Sequence, residues 1–156
     1  MTDIHFNSAF EQVIGRIYDD IDDYGYAVFD LPATDDRPPW AYTIGLIDEC
    51  GHPEVSVIGE SFARAEALLD SIADGVLNGL EIPLDEDVVF DEIVYHVKPV
   101  ETPVLHGGLF AAWRAYYDYL RDPPLPPLSA LELCRCGVQP NRAERRARRR
   151  HLRLAR

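Results

Sequence analysis

The 156-residue chain is long enough for one domain with an appendage, and 47% hydrophobic residues can build a sizeable core without disulfide or metal staples. No apolar run approaches the roughly 20 residues that span a bilayer, and the opening Met1 to His5 lacks the basic and apolar regions of an export signal, so the expected address is cytoplasmic with no membrane partner. The net charge of −12 conceals an asymmetry: residues 1–134 hold six basic and 26 acidic residues, a net of −20, whereas residues 135–156 hold nine arginines and only Glu144, a net of +8.

The first element is an amphipathic helix over 8–23. Phe10, Val13, Ile14, Ile17, Tyr18 and Ile21 fall on one stripe of a 3.6-residue period, Ser8 with Glu11 forms a capping box, and Gly25 stops the helix. The run Asp19, Asp20, Asp22, Asp23 is read as a solvated acidic face. Strands follow at 26–31, 40–46 and 55–59, rich in aromatic and β-branched residues and joined by a polar loop and by a turn through Glu49 to Pro53. Short connections of this kind favour antiparallel pairing.

Ser61 opens a second helix, 62–79, whose buried stripe is Phe62, Ala65, Leu68, Leu69, Ile72, Ala73, Val76 and Leu77. Two further strands lie at 88–90 and 93–100, the latter with Ile93, Tyr95 and Val97 on one face. A third helix, 108–121, aligns Leu109, Trp113, Tyr116 and Leu120, and Pro123 ends it. The pattern gives an α+β fold: a small, mostly antiparallel sheet of about five strands with two or three helices, plus a basic C-terminal tail. The expected division is an acidic globular domain over 1–122, a proline-rich linker and short turn over 123–133, with a helical turn beginning at Ser129 to Glu132, and a Cys/Arg-rich tail over 134–156.

Tyr42-Thr43-Ile44-Gly45-Leu46 after Trp40-Ala41, then Gly51-His52-Pro53-Glu54, a strand ending at Gly59 and the Leu68-Leu69 pair, preceded by Gly25-Tyr26-Ala27-Val28, resemble a bacterial family of domains of unknown function, DUF4262, over roughly residues 24–100. The resemblance implies a fold and no activity. The family's usual C-terminal Gln, Trp-Pro-Asp and Pro-Trp are replaced here by the proline spacer and the Cys/Arg tail, so a site completed by that segment elsewhere would be altered in this chain.

Four residues are candidates for a ligand pocket. His52 and Glu54 flank Pro53 and point to one face if the strand includes both, and Tyr42 and Thr43 lie on the neighbouring strand. A histidine with a carboxylate is a workable acid/base pair, but no nucleophile or triad accompanies it. A cap on the turn by His52 and a backbone amide held by Glu54 is the plainer role. No glycine-rich phosphate loop exists and Lys98 is the sole lysine, which argues against nucleotide-dependent phosphoryl transfer.

Cys134 and Cys136 are separated by one residue, whereas structural zinc pairs are usually separated by two to four. His151, and Cys50 with His52, would have to complete such a site, so reduced thiols are expected and no metal is assigned. No cofactor is indicated. Arg142, Arg145, Arg146, Arg148, Arg149 and Arg150 are candidates for binding a polyanion, as nonspecific nucleic acid or an acidic protein, through bidentate guanidinium contacts. No aromatic residue interleaves them to stack on bases. Two functional readings follow: a noncatalytic binding or regulatory module, and a small enzyme with a hydrolase- or flavin-type pocket around Tyr42, Thr43, His52 and Glu54.

Overall fold

A computed structural model describes residues 9–120 and 127–135. In chain order the elements are α1 (Ala9–Tyr24), β1 (Ala27–Leu31), β2 (Trp40–Ile44), α2 (Leu46–Cys50), β3 (Glu54–Ile58), α3 (Phe62–Leu77), β4 (Asp87–Phe90), β5 (Ile93–Pro99), α4 (Thr102–Leu105), a 3-10 turn (Gly108–Phe110), α5 (Ala111–Leu120) and β6 (Ala130–Arg135). The six strands form one sheet ordered β1-β2-β3-β6-β5-β4. Every pairing is antiparallel except β3 with β6. The fold is α+β with a mostly antiparallel sheet, as the residue pattern indicates, with one strand more than expected.

Alternation along the central strands gives the sheet two apolar faces. Trp40, Tyr42 and Ile44 pack with α1, α4 and α5 on one side, where Ile14, Ile17, Phe110 and Trp113 are buried. Ala41, Val55, Val57, Tyr95, Val97, Leu131 and Leu133 meet α3 on the other, through Leu68, Leu69, Ile72 and Val76. Strands buried on both faces need nearly continuous apolar sequence, which β2 and β3 supply. The helix stripes are narrower than their periodicity suggests: Phe10 and Tyr18 of α1 and Phe62 of α3, expected inside, are exposed.

Two local expectations are corrected. The strand from Trp40 ends at Ile44 because Gly45 adopts φ 118°, and Leu46–Cys50 then wind into α2 in place of the rest of the strand and the start of the turn. That φ suits glycine, and an added Cβ would sit 3.0 Å from the Gly25 carbonyl oxygen. The second correction concerns the C-terminal boundary. Ser129 to Glu132 do not begin a helical turn; Ala130–Arg135 are β6, inserted between β3 and β5.

A fold boundary at Pro123 would remove this strand, which the sequence reading missed because the residues are few and isolated behind a proline run. Glu54 to Val57 pair with Ala130 to Leu133 on one side, and Tyr95 to Pro99 pair with Arg135 to Leu131 on the other. Without β6 the sheet falls into a three-strand piece and a two-strand piece, and Leu131 and Leu133 leave the core. Truncation after Asp122 is therefore expected to abolish cooperative thermal unfolding, whereas truncation after Arg135 retains it. Circular dichroism melts of the two proteins check this, and a sharp native-like transition in the shorter one would refute it.

Candidate functional site

The local sequence around β2 and β3 builds a buried polar knot. Glu54, the first residue of β3, has no exposed surface. Its side chain turns toward α2 and α5. Oε1 accepts the Thr43 hydroxyl at 3.0 Å and the Leu46 amide at 3.0 Å. Oε2 accepts the Gly45 amide at 3.0 Å and the Trp113 indole N–H at 2.9 Å. Thr43 Oγ1 in turn accepts the Val55 amide at 2.9 Å.

Each bond has a topological origin. The first amides of a helix lack intrahelical partners, and glycine at position 45 carries no side chain to cap them. A carboxylate from the neighbouring strand serves as the cap, at the end of α2 where negative charge is favoured. Burial pushes the Glu54 carboxyl up to about 7, against the pull of the Trp113, Gly45, Leu46 and Thr43 donors.

Tyr42 lies beside this knot, with its ring 4.6 Å from Phe110 and 5.7 Å from Phe29 between centroids. Its hydroxyl is buried, and neither the Trp113 nor the Ala112 amide reaches hydrogen-bond geometry with it. Burial raises its pKa despite the favourable direction of those amides. The Tyr117 hydroxyl is likewise buried without a hydrogen-bond partner among the described residues, and burial and the nearby Glu54 charge raise its pKa.

His52 stands apart. It precedes β3, so strand alternation does not bring it to the side of Glu54. Its Nδ1 lies 2.7 Å from the Pro53 carbonyl oxygen, and the residue lines a separate cleft of about 490 Å³ beside Cys50, Leu77, Leu80 and Glu81. The structure thus joins Thr43 to Glu54, sets Tyr42 alongside, and leaves His52 elsewhere. Tyr42, Thr43 and Glu54 are wholly buried and line neither cleft.

A second cleft, about 620 Å³, lies between the end of α1, the sheet-edge strand β1 and α3. Asp20, Glu66, Asp70 and Asp74 supply carboxylates, and Tyr24, Tyr26 and Phe62 supply aromatic surface. Tyr26 donates its hydroxyl to Asp70 at 2.8 Å, and its pKa is raised by burial and by that bond. Partial burial raises the Asp20 pKa too; Arg16 opposes this, whereas Asp19, Asp23 and Asp70 add to it. The aspartate run of α1, which in sequence has the character of a solvated face, contributes Asp20 to this cleft. The spacing of Glu66, Asp70 and Asp74, four residues apart on the helix side away from the apolar stripe, was the available signal.

A second acidic feature also escaped the sequence reading. Glu60, almost buried, accepts two bonds from Arg135 at 2.8 and 2.9 Å, and the Tyr95 hydroxyl at 3.3 Å. Arg64 approaches the same carboxylate at 3.7 Å.

Cys134 lies in β6 with Sγ 3.1 Å from a Glu132 carboxylate oxygen, and Cys50 donates to the Leu46 carbonyl. Among the described residues no group of three His, Cys, Asp or Glu side chains is placed to hold a metal ion. Cys136, His151 and the tail arginines from Arg142 to Arg150 lie outside the described residues. No described helix is long and apolar enough to cross a membrane.

A family model described as a domain of unknown function, DUF4262, matches residues 20–134. The match extends beyond the 24–100 of the sequence resemblance and takes in most of β6. No curated protein and no solved structure matches the chain.

Two outcomes test the knot. Trp113→Phe removes one donor from a buried carboxylate and is expected to cost about 1–3 kcal/mol, measured by urea unfolding. Because the folded pKa of Glu54, about 7, exceeds the ordinary 4.5, this group's contribution to stability is complete below pH 4.5 and lost as pH rises through about 7. Unfolding free energy of the wild type should therefore fall across that window relative to Glu54→Gln; parallel pH profiles would contradict it.

Proposed function

The chain belongs to the DUF4262 family, and we propose that it is a noncatalytic binding module whose acidic cleft receives a cationic segment of a partner while its arginine-rich tail engages polyanions. The observation that carries this reading is the cleft at β1. Four carboxylates and three aromatic side chains face one open concavity beside a strand with one edge unpaired in the sheet. Carboxylates attract guanidinium and ammonium groups, aromatic faces hold them by cation–π contact, and a free strand edge offers backbone hydrogen bonds to an extended peptide. Burial is the main cause of the raised Asp20 pKa, and the Asp70 charge across the cleft adds to it, a repulsion that a bound cation relieves.

The enzyme reading centred on Tyr42, Thr43, His52 and Glu54 has less support. The Glu54 carboxylate is saturated by four donors and has no exposed surface from which to exchange a proton with substrate. Its bonds account for it as the cap of α2.

Arg142, Arg145, Arg146, Arg148, Arg149 and Arg150 are proposed as the polyanion-binding residues, for nonspecific nucleic acid or an acidic protein. With about five phosphate contacts, raising salt from 50 to 200 mM should weaken binding to duplex DNA several-hundred-fold.

The cleft is tested by titrating the full chain with an oligoarginine peptide in a calorimeter. Glu66→Gln combined with Asp74→Asn, both on exposed positions, should weaken binding roughly fivefold to tenfold. Equal affinity in the wild type and this variant would refute the cleft as the cation site.

A further inference from the structure

We propose that the arginine-rich segment Arg142 to Arg150 of this chain docks along α3 into the cleft at β1, so that a polyanion binds the tail only by displacing it. The inference rests on the reading of that cleft as a cation site and identifies its resident occupant.

The first rung of this contact is already in place. Arg135, where the described chain ends, is held by Glu60 through two charge-assisted bonds, 2.8 and 2.9 Å. The parallel pairing of β6 with β3 dictates this position. Both strands end on the same side of the sheet, and β3 leads through Gly59 and Glu60 directly into α3. The described chain therefore ends at the head of the helix that carries Glu66, Asp70 and Asp74.

Those three residues lie four apart, on one flank of α3, and all line the cleft. Glu60 to Asp74 spans about 20 Å at the helical rise per residue. The seven residues from Arg135 to Arg142 reach about 24 Å when extended, so the first tail arginine can arrive anywhere along the stripe. Six arginines between 142 and 150 then face four cleft carboxylates. Tyr24 and Phe62, both exposed at the rim, and Tyr26 offer planar surfaces on which guanidinium groups stack. The Tyr26 hydroxyl bonds Oδ1 of Asp70 and fixes that carboxylate at the cleft wall.

Tethering makes the contact intramolecular. Its effective concentration lies in the millimolar range for short linkers, high enough for individually weak ion pairs to hold the tail at low salt. Phosphate groups compete for the same guanidinium groups, so the acidic cleft lowers the apparent polyanion affinity of the full chain.

The test measures binding of mixed-sequence single-stranded RNA to three full-length proteins at about 50 mM salt, where a Debye length of roughly 14 Å leaves these charges effective. They are the wild type, Glu66→Gln/Asp74→Asn, and a control, Glu92→Gln/Glu101→Gln, with the same charge change away from the cleft. The cleft variant should bind about fivefold more tightly than wild type, the control less than about twofold, and the difference should close as salt is raised. An equal gain in both variants marks a general charge effect and overturns the proposal, as does RNA binding by none of the three. A wild-type affinity that varies with protein concentration places the tail in a second copy and overturns the intramolecular form. Loss of oligoarginine binding in the cleft variant with unchanged RNA affinity sinks the tail inference alone; loss of neither removes the cleft reading as well.

Discussion

A single carboxylate without solvent organises the middle of this domain. Glu54 starts β3, and its two oxygens take donors from the end of β2, the start of α2 and the face of α5. Removing a carboxylate from water is costly, and only a full set of donors makes the position tolerable. Those donors exist only if β2 stops at Ile44, if Gly45 turns the chain, and if α5 brings Trp113 over the sheet. The residues from 40 to 54 thus form one constrained unit. Replacing Glu54 by an apolar residue would leave the Gly45, Leu46 and Trp113 N–H groups in the interior unpaired, a larger penalty than losing one bond.

The sequence-based elements were recovered where periodicity was strong. Ile14 with Ile17, the Leu68-Leu69 pair, and Tyr95 with Val97 lie inside as their spacing indicates. Short elements were illegible for physical reasons. Leu46–Cys50 is too brief for an apolar period, and its stability comes from a cap contributed by Glu54, eight residues beyond its first residue. Ala130–Arg135 carries Leu131 and Leu133 in alternation, but behind prolines that alternation was too short to separate from a helical turn.

The candidate site was legible in part. Thr43 and Glu54 were picked out by residue type and do bond each other, yet their chemistry is turned inward, which only burial reveals. His52 was grouped with them on strand alternation, and the strand begins two residues too late for that rule to apply. The cleft draws on residues from 20 to 74 across three elements, and no local motif announces such a site. Only the acidic spacing on α3 was available, and it resembles an ordinary solvated helix face.

The position of β6 bears on how the protein comes off the ribosome. Both strands that flank it, β3 and β5, are synthesised first and must wait with one edge exposed until residues 130–135 emerge. The Ser56 hydroxyl, which bonds the Leu131 carbonyl, finds its partner 75 residues later. Loop-closure entropy makes such distant pairing slow, and open strand edges are the surfaces on which nascent chains associate wrongly. The domain therefore completes its sheet only after residues 130–135 have emerged, and the interval before that step is when it most needs a chaperone or a low local concentration of its own kind.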